Sequence, residues 1–355
     1  MTGFAANPHG SAAPRGRTGD DRGTAPIGIA IIGLGAAVSP HAKALLELTD
    51  RSRVVWAAAS DPGRTRAAAA AYGFPVTNDI RAAINDPAVD AVMVLTPANT
   101  HLDIAEAAFA AGKHVLCEKP LEVTAERGAR LVAAGRAANR RLAIMLQLRF
   151  RPASLRLKAL LEEGLLGTVQ AASVIVPWWR PQSYYNEPGR GVKSRDGGGV
   201  LMTQAIHALD LFRSFVGIQS VEAAQVRTTD LHRMETEDYA AALLRLANGA
   251  PGTLIATVAA FPGSPEQIQI IGSKGTARMD GSNLRVSYLD GTSEEVLDDG
   301  GSGSGSTVMG FSHLPHKAVI ADWLDAIATG RDPAITGEEA LATQRVIDSI
   351  IEKGV

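Results

Sequence analysis

Short apolar runs alternate with helix-like segments in the first half of the chain. The runs IGIAII, VVWAAA, AVMVL, HVLC and LAIMLQL begin at residues 27, 54, 91, 114 and 142, and each has the length of a buried strand. Helices are predicted between them, at 36–49, 64–72, about 100–111 and 124–138. This alternation predicts an α/β domain over 27–149, with a parallel sheet and right-handed crossovers.

The pattern of apolar and polar residues changes after Phe150. The pattern predicts a helix at about 152–163, an alternating strand at 168–177, a polar and aromatic loop at 178–197, and one helix over 197–217. Short strands with NG and DG turns follow as far as Val296, and two amphipathic helices are predicted at about 313–329 and 338–353. Residues 150–355 are therefore predicted to form an α+β domain on an open, mostly antiparallel sheet.

Composition narrows the possible partners. The chain has 355 residues, a formal net charge of −2 and a single cysteine, Cys117, which excludes an intrachain disulfide. Without a basic surplus or a long apolar run, we expect no nucleic-acid or membrane partner and a cytoplasmic location. Residues 1–26 lack an apolar signal region and are predicted to be a flexible tail, and GGSGSGS at 300–306 a mobile loop.

A glycine pair follows the first predicted strand. Gly33 and Gly35 open the first helix, followed by Ala36 and Ala37. In this setting the first glycine permits a tight turn, and the second lets the backbone approach a pyrophosphate. Val38 stands where the dinucleotide fingerprint has its third glycine. The glycines alone leave a plain strand–helix turn equally open.

The end of the second strand is where a dinucleotide's ribose is read. Ser60 and Arg64 could hold a 2′-phosphate if the strand ends at Ala59, because arginine matches phosphate geometry. With a shifted turn, Asp61 could instead bind the ribose of NAD, and Arg64 could be a solvated charge. The sequence predicts NAD(P) as cofactor and favours NADP.

Two further strand ends carry polar residues. The segments TPANTH and AGKHVLCEKPL, together with GLG, resemble the Gfo/Idh/MocA oxidoreductase family. The resemblance implies a Rossmann domain, then an open-faced sheet domain that forms a homodimer or homotetramer. It implies cofactor contacts from strand-end residues: Thr96, Pro97, Asn99, His101, Glu118, Lys119 and Gln147.

The resemblance also implies that Lys119 orients substrate and takes part in proton transfer. Oxidation of an alcohol releases a hydride and a proton, and a desolvated amine near a cationic nicotinamide can accept the proton near neutral pH. The alternative is a structural ion pair between Lys119 and Glu118.

The segment GGGVLMTQAIHALD supplies the second candidate catalytic residue. His207 matches the family's catalytic or substrate-orienting histidine, and Thr203, one turn earlier, replaces the more common aspartate. Gln204 is a further expected substrate contact. Asp210 could orient His207 or lie in a domain contact, and the sequence leaves both open.

An aromatic loop supplies the remaining substrate candidates. Trp179, Arg180 and Tyr184 combine rings with hydrogen-bond donors, which sugars favour, and Arg149 lies at the fifth strand's end. The role of Trp178 stays open, and an oligomer interface is the alternative for the loop. Further positive charges could favour an anionic substrate, although exposed, solvated charges are the simpler explanation: Arg151, Arg190, Lys193 and Arg195.

The predicted function is hydride transfer between nicotinamide and a ring hydroxyl or ketone of a sugar, cyclitol or sugar derivative. The alternatives are an aromatic cis-dihydrodiol dehydrogenase and, from another class, a dinucleotide-sensing regulator. No H-E-x-x-H pattern occurs. His313 and His316 could be metal ligands but are better explained by a helix start, so no metal is predicted.

Overall fold

The computed structural model of the chain describes residues 25–298 and 312–354, so the predicted loop at 300–306 and all but the end of the predicted tail lie outside it. The first sheet has six parallel strands in the order β3-β2-β1-β4-β5-β6. Its strands are β1 (Ile27–Ile32), β2 (Ser52–Ala58), β3 (Val76–Thr77), β4 (Ala91–Val94), β5 (His114–Cys117) and β6 (Leu142–Ile144). The order reverses between β1 and β4, which is where such sheets bind ligands.

Helices connect these strands as the sequence predicts. They are α1 (Val38–Leu46), α2 (Pro62–Tyr72), α3 (Ile80–Asn85), α4 (His101–Ala110) and α5 (Ala125–Ala137). β3 and α3 were not predicted, because two and six residues carry too little periodicity. The fifth predicted strand also ends early, at Ile144, because a 3₁₀ turn occupies Gln147–Phe150.

The second sheet has eight strands in the order β14-β13-β12-β11-β7-β10-β9-β8. They are β7 (Val169–Pro177), β8 (Ile218–Arg227), β9 (Tyr239–Leu246), β10 (Pro251–Thr257), β11 (Gln267–Gly272), β12 (Gly275–Asp280), β13 (Asn283–Tyr288) and β14 (Ser293–Val296). All pairs are antiparallel except β7 with β10. Buried and exposed positions alternate along β9 and β10, so one face is packed and the other open.

The other helices are α6 (Pro152–Glu162), α7 (Gln182–Tyr185), α8 (Lys193–Asp196), α9 (Ile206–Val216), α10 (Leu314–Thr329) and α11 (Gly337–Lys353). The predicted loop at 178–197 thus contains two short helices. The predicted single helix over 197–217 is wrong at its start, because one turn of π-helix at Leu201–Ala205 precedes α9. Such turns often occur at functional sites.

The C-terminal helices contact the first domain as well as the second. The Gln344 side chain in α11 donates to the Glu122 carbonyl at 2.8 Å, and Lys317 in α10 pairs with Glu47 at 2.8 Å. The boundary at 149/150 therefore stays a prediction. α11 packs against β6 of the first sheet and β8 of the second, whereas α10 packs against α1 and β5. None of the helices in the described part is long and apolar enough to cross a membrane.

Candidate active site

A cavity of about 440 Å³ lies between the carboxyl ends of the first sheet, the loop after β7 and the start of α9. Its volume suits a small molecule. Ten of the predicted site residues line it: Ala36, Ala37, Glu118, Lys119, Gln147, Arg180, Tyr184, Thr203, Gln204 and His207. The structure therefore brings residues from both domains to one place.

The turn after β1 needs its two glycines for different reasons. Gly33 has φ +102°, and a Cβ there would lie 2.7 Å from the Leu95 carbonyl carbon, so a side chain fits neither the conformation nor the space. Above Gly35 the space is open, since the nearest atom to a Cβ would be Arg64 Nη1 at 3.8 Å. The N-terminus of α1 follows with no side-chain cap. The Val38 amide donates to the Gly35 carbonyl at 3.1 Å and Pro40 has no amide hydrogen, so among the described residues of this first turn the Ser39 amide is left for an anion.

The carboxylate that follows β2 is engaged within its own helix rather than free to bind a ribose. Asp61 caps α2, because its Oδ1 accepts hydrogen bonds from the Gly63 and Arg64 amides at 2.6 and 3.2 Å. These bonds lower its pKa. Ser60 and Arg64 are exposed, and Arg64 reaches toward the open space at Gly35.

His101 has a structural position rather than the predicted cofactor contact. Its side chain is fully buried, with Nε2 2.9 Å from the Thr96 carbonyl oxygen and Nδ1 3.1 Å from that of Pro120. The ring thus ties the turns after β4 and β5 together. Pro97 and Asn99 lie outside the cavity lining, and their contact with cofactor stays a prediction.

Lys119 faces the second domain. Its Nζ donates to the Thr203 carbonyl at 2.6 Å, and Glu118 accepts from the Lys119 backbone amide rather than from the ammonium group. The side chains of Lys119 and Glu118 therefore do not form the ion pair that was the alternative for Lys119. Burial lowers the pKa of Lys119, although the charges of Glu118 and Asp196 act against the shift.

A cluster of potential metal ligands surrounds Glu118, next to Lys119 in the chain. His41, Glu118 and His316 have ligand atoms within 4.8 Å of one another. His41 Nδ1 lies 2.8 Å from the Ala37 carbonyl, which can only accept, and its Nε2 is 3.1 Å from Glu118 Oε1. Contact between His41 and the ionised Glu118 accounts for this geometry without a metal, and the absence of a metal stays a prediction.

The pKa values within the cluster agree with that pairing. Burial raises the pKa of Glu118, but the hydrogen bond and charge of His41 outweigh it and hold the value at about 2. Burial, with the charge of His41, lowers the pKa of His316 to about 3, so His316 is neutral.

The start of the candidate catalytic helix is anchored by a buried carboxylate. Glu237 accepts from the Gly199 and Leu201 amides at 2.8 and 3.1 Å. A Cβ on Gly199 would lie only 1.8 Å from the Glu237 carbonyl oxygen, so glycine is required there. This close approach fixes the position from which the π-turn begins.

His207 reaches the cavity from α9. Burial and the charge of Lys119 lower its pKa well below the usual value, so it is neutral near pH 7. Its Nδ1 is buried without a hydrogen-bond partner among the described residues. Thr203, whose hydroxyl donates to the Gly199 carbonyl at 2.6 Å, also faces the cavity. Thr203 and His207 do share one face, as predicted.

Arg149 and Asp210 form an ion pair outside the cavity lining. Arg149 donates through Nε and Nη2 to the two oxygens of Asp210, at 2.6 and 2.7 Å, and also to Glu339 at 3.1 Å. These acids hold the guanidinium in a link between α9 and α11, and the substrate contact of Arg149 stays a prediction. Asp210 therefore lies in a domain contact and does not orient His207.

The aromatic loop presents a different tryptophan from the one predicted. Trp178 lines the cavity, whereas Trp179 packs against Phe261 and His232, with ring centroids at 5.5 and 6.0 Å. The two neighbours point to opposite sides because the chain is extended there. Arg190 stacks on Tyr184 at 4.0 Å and joins the cavity wall.

Part of the cavity lining and one buried ion pair were not predicted from the sequence. Arg151 and Glu266 pair at 2.6 Å across the wall. No local motif marks Glu266, because it is distant from Arg151 in the sequence and only folding brings the two together. The other unpredicted lining residues include Pro40, Phe150, Pro152, Ser282, Leu314 and Pro315.

Known families match both halves of the chain. Residues 27–146 match the oxidoreductase family with an NAD-binding Rossmann fold, and residues 154–278 match the Gfo/Idh/MocA C-terminal domain. The chain is therefore an oxidoreductase that belongs to the Gfo/Idh/MocA family.

Individual relatives cover nearly the whole chain. It is 26% identical to inositol 2-dehydrogenase of Rhizobium meliloti (strain 1021), over 90% of this chain and 94% of the relative. It is similar to a levoglucosan dehydrogenase solved with NADH and levoglucosan, with a TM-score of 0.82, 25% identity and coverage of 93% and 97%. The WlbA dehydrogenase of Bordetella pertussis, solved with NADH and UDP-GlcNAcA, gives a TM-score of 0.78, 27% identity and coverage of 93% and 96%.

Proposed function

We propose that this oxidoreductase transfers a hydride between NAD(P) and a ring hydroxyl or ketone of a sugar, cyclitol or sugar derivative. The observation that carries the proposal is the meeting of Lys119 and His207 from two domains in one cavity beside the G-x-G turn. The relatives named above act on inositol or were solved with levoglucosan or UDP-GlcNAcA. None of these three relatives is named for a dihydrodiol substrate or a regulatory role.

The residues present fit a nicotinamide dinucleotide. The open space at Gly35 and the uncapped N-terminus of α1 suit a pyrophosphate. Gln147 has a buried Oε1 without a partner among the described residues, and it suits the carboxamide. Ala36, Ala37 and Glu118 would hold the nicotinamide half. When bound, the nicotinamide supplies the hydride acceptor.

The proton of the substrate hydroxyl passes to Lys119 in this proposal. Its lowered pKa makes the neutral amine accessible nearer neutral pH, whereas His207, with its strongly lowered pKa, is a poor proton acceptor. His207 instead orients the hydroxyl by a hydrogen bond at its unpartnered Nδ1. Thr203, Gln204, Arg180 and Tyr184 bind the other hydroxyls.

An assay at 340 nm with inositols, levoglucosan and nucleotide-linked sugars tests this function. We expect turnover on at least one polyol, and Lys119→Met to lower kcat by about 10²- to 10⁴-fold. Lys158→Met, which removes an exposed lysine paired with Glu162, is the matched control and should leave kcat unchanged. Equal activity of Lys119→Met and wild type would contradict the assigned role.

For the cofactor, we propose that NADP is preferred. Asp61 is engaged at the α2 N-terminus, and Arg64 is left beside the open space at Gly35. We expect Arg64→Ala to raise the Kd for NADPH by about tenfold more than the Kd for NADH. Arg66→Ala, an exposed arginine of the same helix, is the control. Equal effects of Arg64→Ala on both cofactors would remove the basis for this preference.

The open face of the second sheet supports a further proposal, that the protein is a homodimer or homotetramer. Apolar side chains are exposed on three of its strands: Leu243, Ile255 and Ile271. Light scattering of wild type and Leu243→Glu tests the assembly. Wild type should exceed the monomer mass of 37.1 kDa, and the variant should shift toward it. A monomeric wild type would contradict the proposal.

A further inference from the structure

The cavity wall at Arg180 is held in place by groups outside the cavity. The backbone of the loop pairs with the segment after β10, because the Arg180 amide donates to the Val258 carbonyl at 2.9 Å. The Arg180 carbonyl, in turn, is 2.8 Å from His232 Nε2. His232 thus contacts the main chain of the residue whose side chain is predicted to bind substrate.

The other nitrogen of His232 is also bonded to an acceptor. Nδ1 lies 2.7 Å from Asp238 Oδ2, and both side chains are fully buried. The ring is covered by Trp179 and Tyr185, with centroids at 6.0 and 5.1 Å. A histidine that faces two acceptors must carry a proton on both nitrogens, or one acceptor must be protonated.

The surroundings of Asp238 favour its ionised form. Its Oδ1 accepts from the Thr229 amide at 2.8 Å, and its Oδ2 lies 2.6 Å from the Thr229 hydroxyl. A carboxylate that receives donors on both oxygens is stabilised as an anion. An ionised Asp238 would leave a proton on each ring nitrogen of His232, so that each N–H faces one acceptor.

We propose that His232, held as an imidazolium by Asp238, is a positioning residue that sets Arg180 for substrate binding. The proposal rests on the proposed function, in which Arg180 contacts the substrate. If His232 were neutral with its proton toward Asp238, a lone pair on Nε2 would face the Arg180 carbonyl oxygen. That repulsion would displace the loop and with it the guanidinium.

Asp238 lies next to a residue that holds the opposite wall of the cavity. Its neighbour Glu237 anchors the other wall, through the Gly199 and Leu201 amides. Consecutive residues thus fix both walls of the substrate cavity, one directly and one through His232. Their spacing is set by one rigid segment that leads into β9.

Steady-state kinetics of His232→Phe and His232→Gln test the positioning role. Phenylalanine keeps the ring but has no donors, and glutamine can still donate to the Arg180 carbonyl. For a polyol that wild type turns over, we expect KM to rise about tenfold in His232→Phe and less in His232→Gln. The change in kcat should be smaller, and the Kd for NADH, from fluorescence titration, should stay within about twofold. An unchanged KM, or an equal loss of NADH affinity, would overturn the proposal.

The charge of His232 can be measured without turnover. In wild type carrying ¹⁵N-labelled histidine, we expect both ring nitrogens of His232 to be protonated at pH 7, assigned by comparison with His232→Gln. An unprotonated nitrogen would refute the imidazolium. If His232→Phe fails to fold, Asp238→Asn removes the counter-ion and should give the same rise in KM. If wild type turns over no sugar or cyclitol, the proposed function fails, while the ¹⁵N spectrum still decides the charge.

Discussion

The ion pair between Arg149 and Asp210 should be a principal support of the domain arrangement. Asp210 is fully buried and accepts three hydrogen bonds, two from Arg149 at 2.6 and 2.7 Å and one from the Thr343 hydroxyl at 2.8 Å. Asp210→Ala removes the carboxylate and leaves the Arg149 guanidinium, itself largely buried, without its main partner. Breaking a buried pair in this way costs about 3–5 kcal/mol of unfolding free energy.

Urea unfolding at 25 °C, followed by tryptophan fluorescence, measures this cost. The double variant Arg149→Met with Asp210→Leu should recover most of it, because it removes both charges and keeps apolar volume. Glu222→Ala is the control, since its pair with Arg245 is about half exposed and should contribute below about 1 kcal/mol. A cost for Asp210→Ala no larger than the control's, or a double variant no better than the single one, would refute the reasoning.

Two further predictions concern the cofactor side. The pKa of Glu118 is lowered to about 2 from an ordinary 4.5, so its ionised form contributes stability above pH 4.5 that is lost as the pH falls toward 2. Glu118→Gln should therefore flatten the fall of the urea midpoint over that pH range. An unchanged slope would contradict the pairing with His41. Gly33→Ala should lower the Tm because its Cβ has neither space nor an allowed φ, whereas Gly35→Ala should keep the Tm and weaken NADH binding. Equal Tm losses in the two glycine variants would show that the space at Gly35 is not open.

The local pattern predicted most of the first domain and the centre of the site. Strand–helix alternation gave the parallel sheet, and the resemblance of AGKHVLCEKPL and GGGVLMTQAIHALD to the family gave Lys119 and His207 as candidate catalytic residues. These features are local, because a strand end or a helix face is encoded within a few residues.

What the sequence could not show depends on contacts between distant segments. His41 and His316 meet at Glu118 from opposite ends of the chain, and only the packing of α10 against α1 brings them together. Trp178 rather than Trp179 faces the cavity because of the direction of the extended chain, which composition does not encode. His101 is held by two carbonyl groups. One belongs to Thr96, in the same segment, but the other belongs to Pro120, which the fold brings close.

The central claim is hydride transfer from a ring carbon to the nicotinamide with Lys119 at the reaction centre. The most direct measurement uses a cyclitol or sugar deuterated at its ring carbons, with NAD(P)⁺, and follows the mass of the reduced cofactor. Wild type should yield reduced cofactor carrying one deuterium, and Lys119→Met should yield it about 10²- to 10⁴-fold more slowly. Reduced cofactor without deuterium, or an undiminished rate in Lys119→Met, would contradict it.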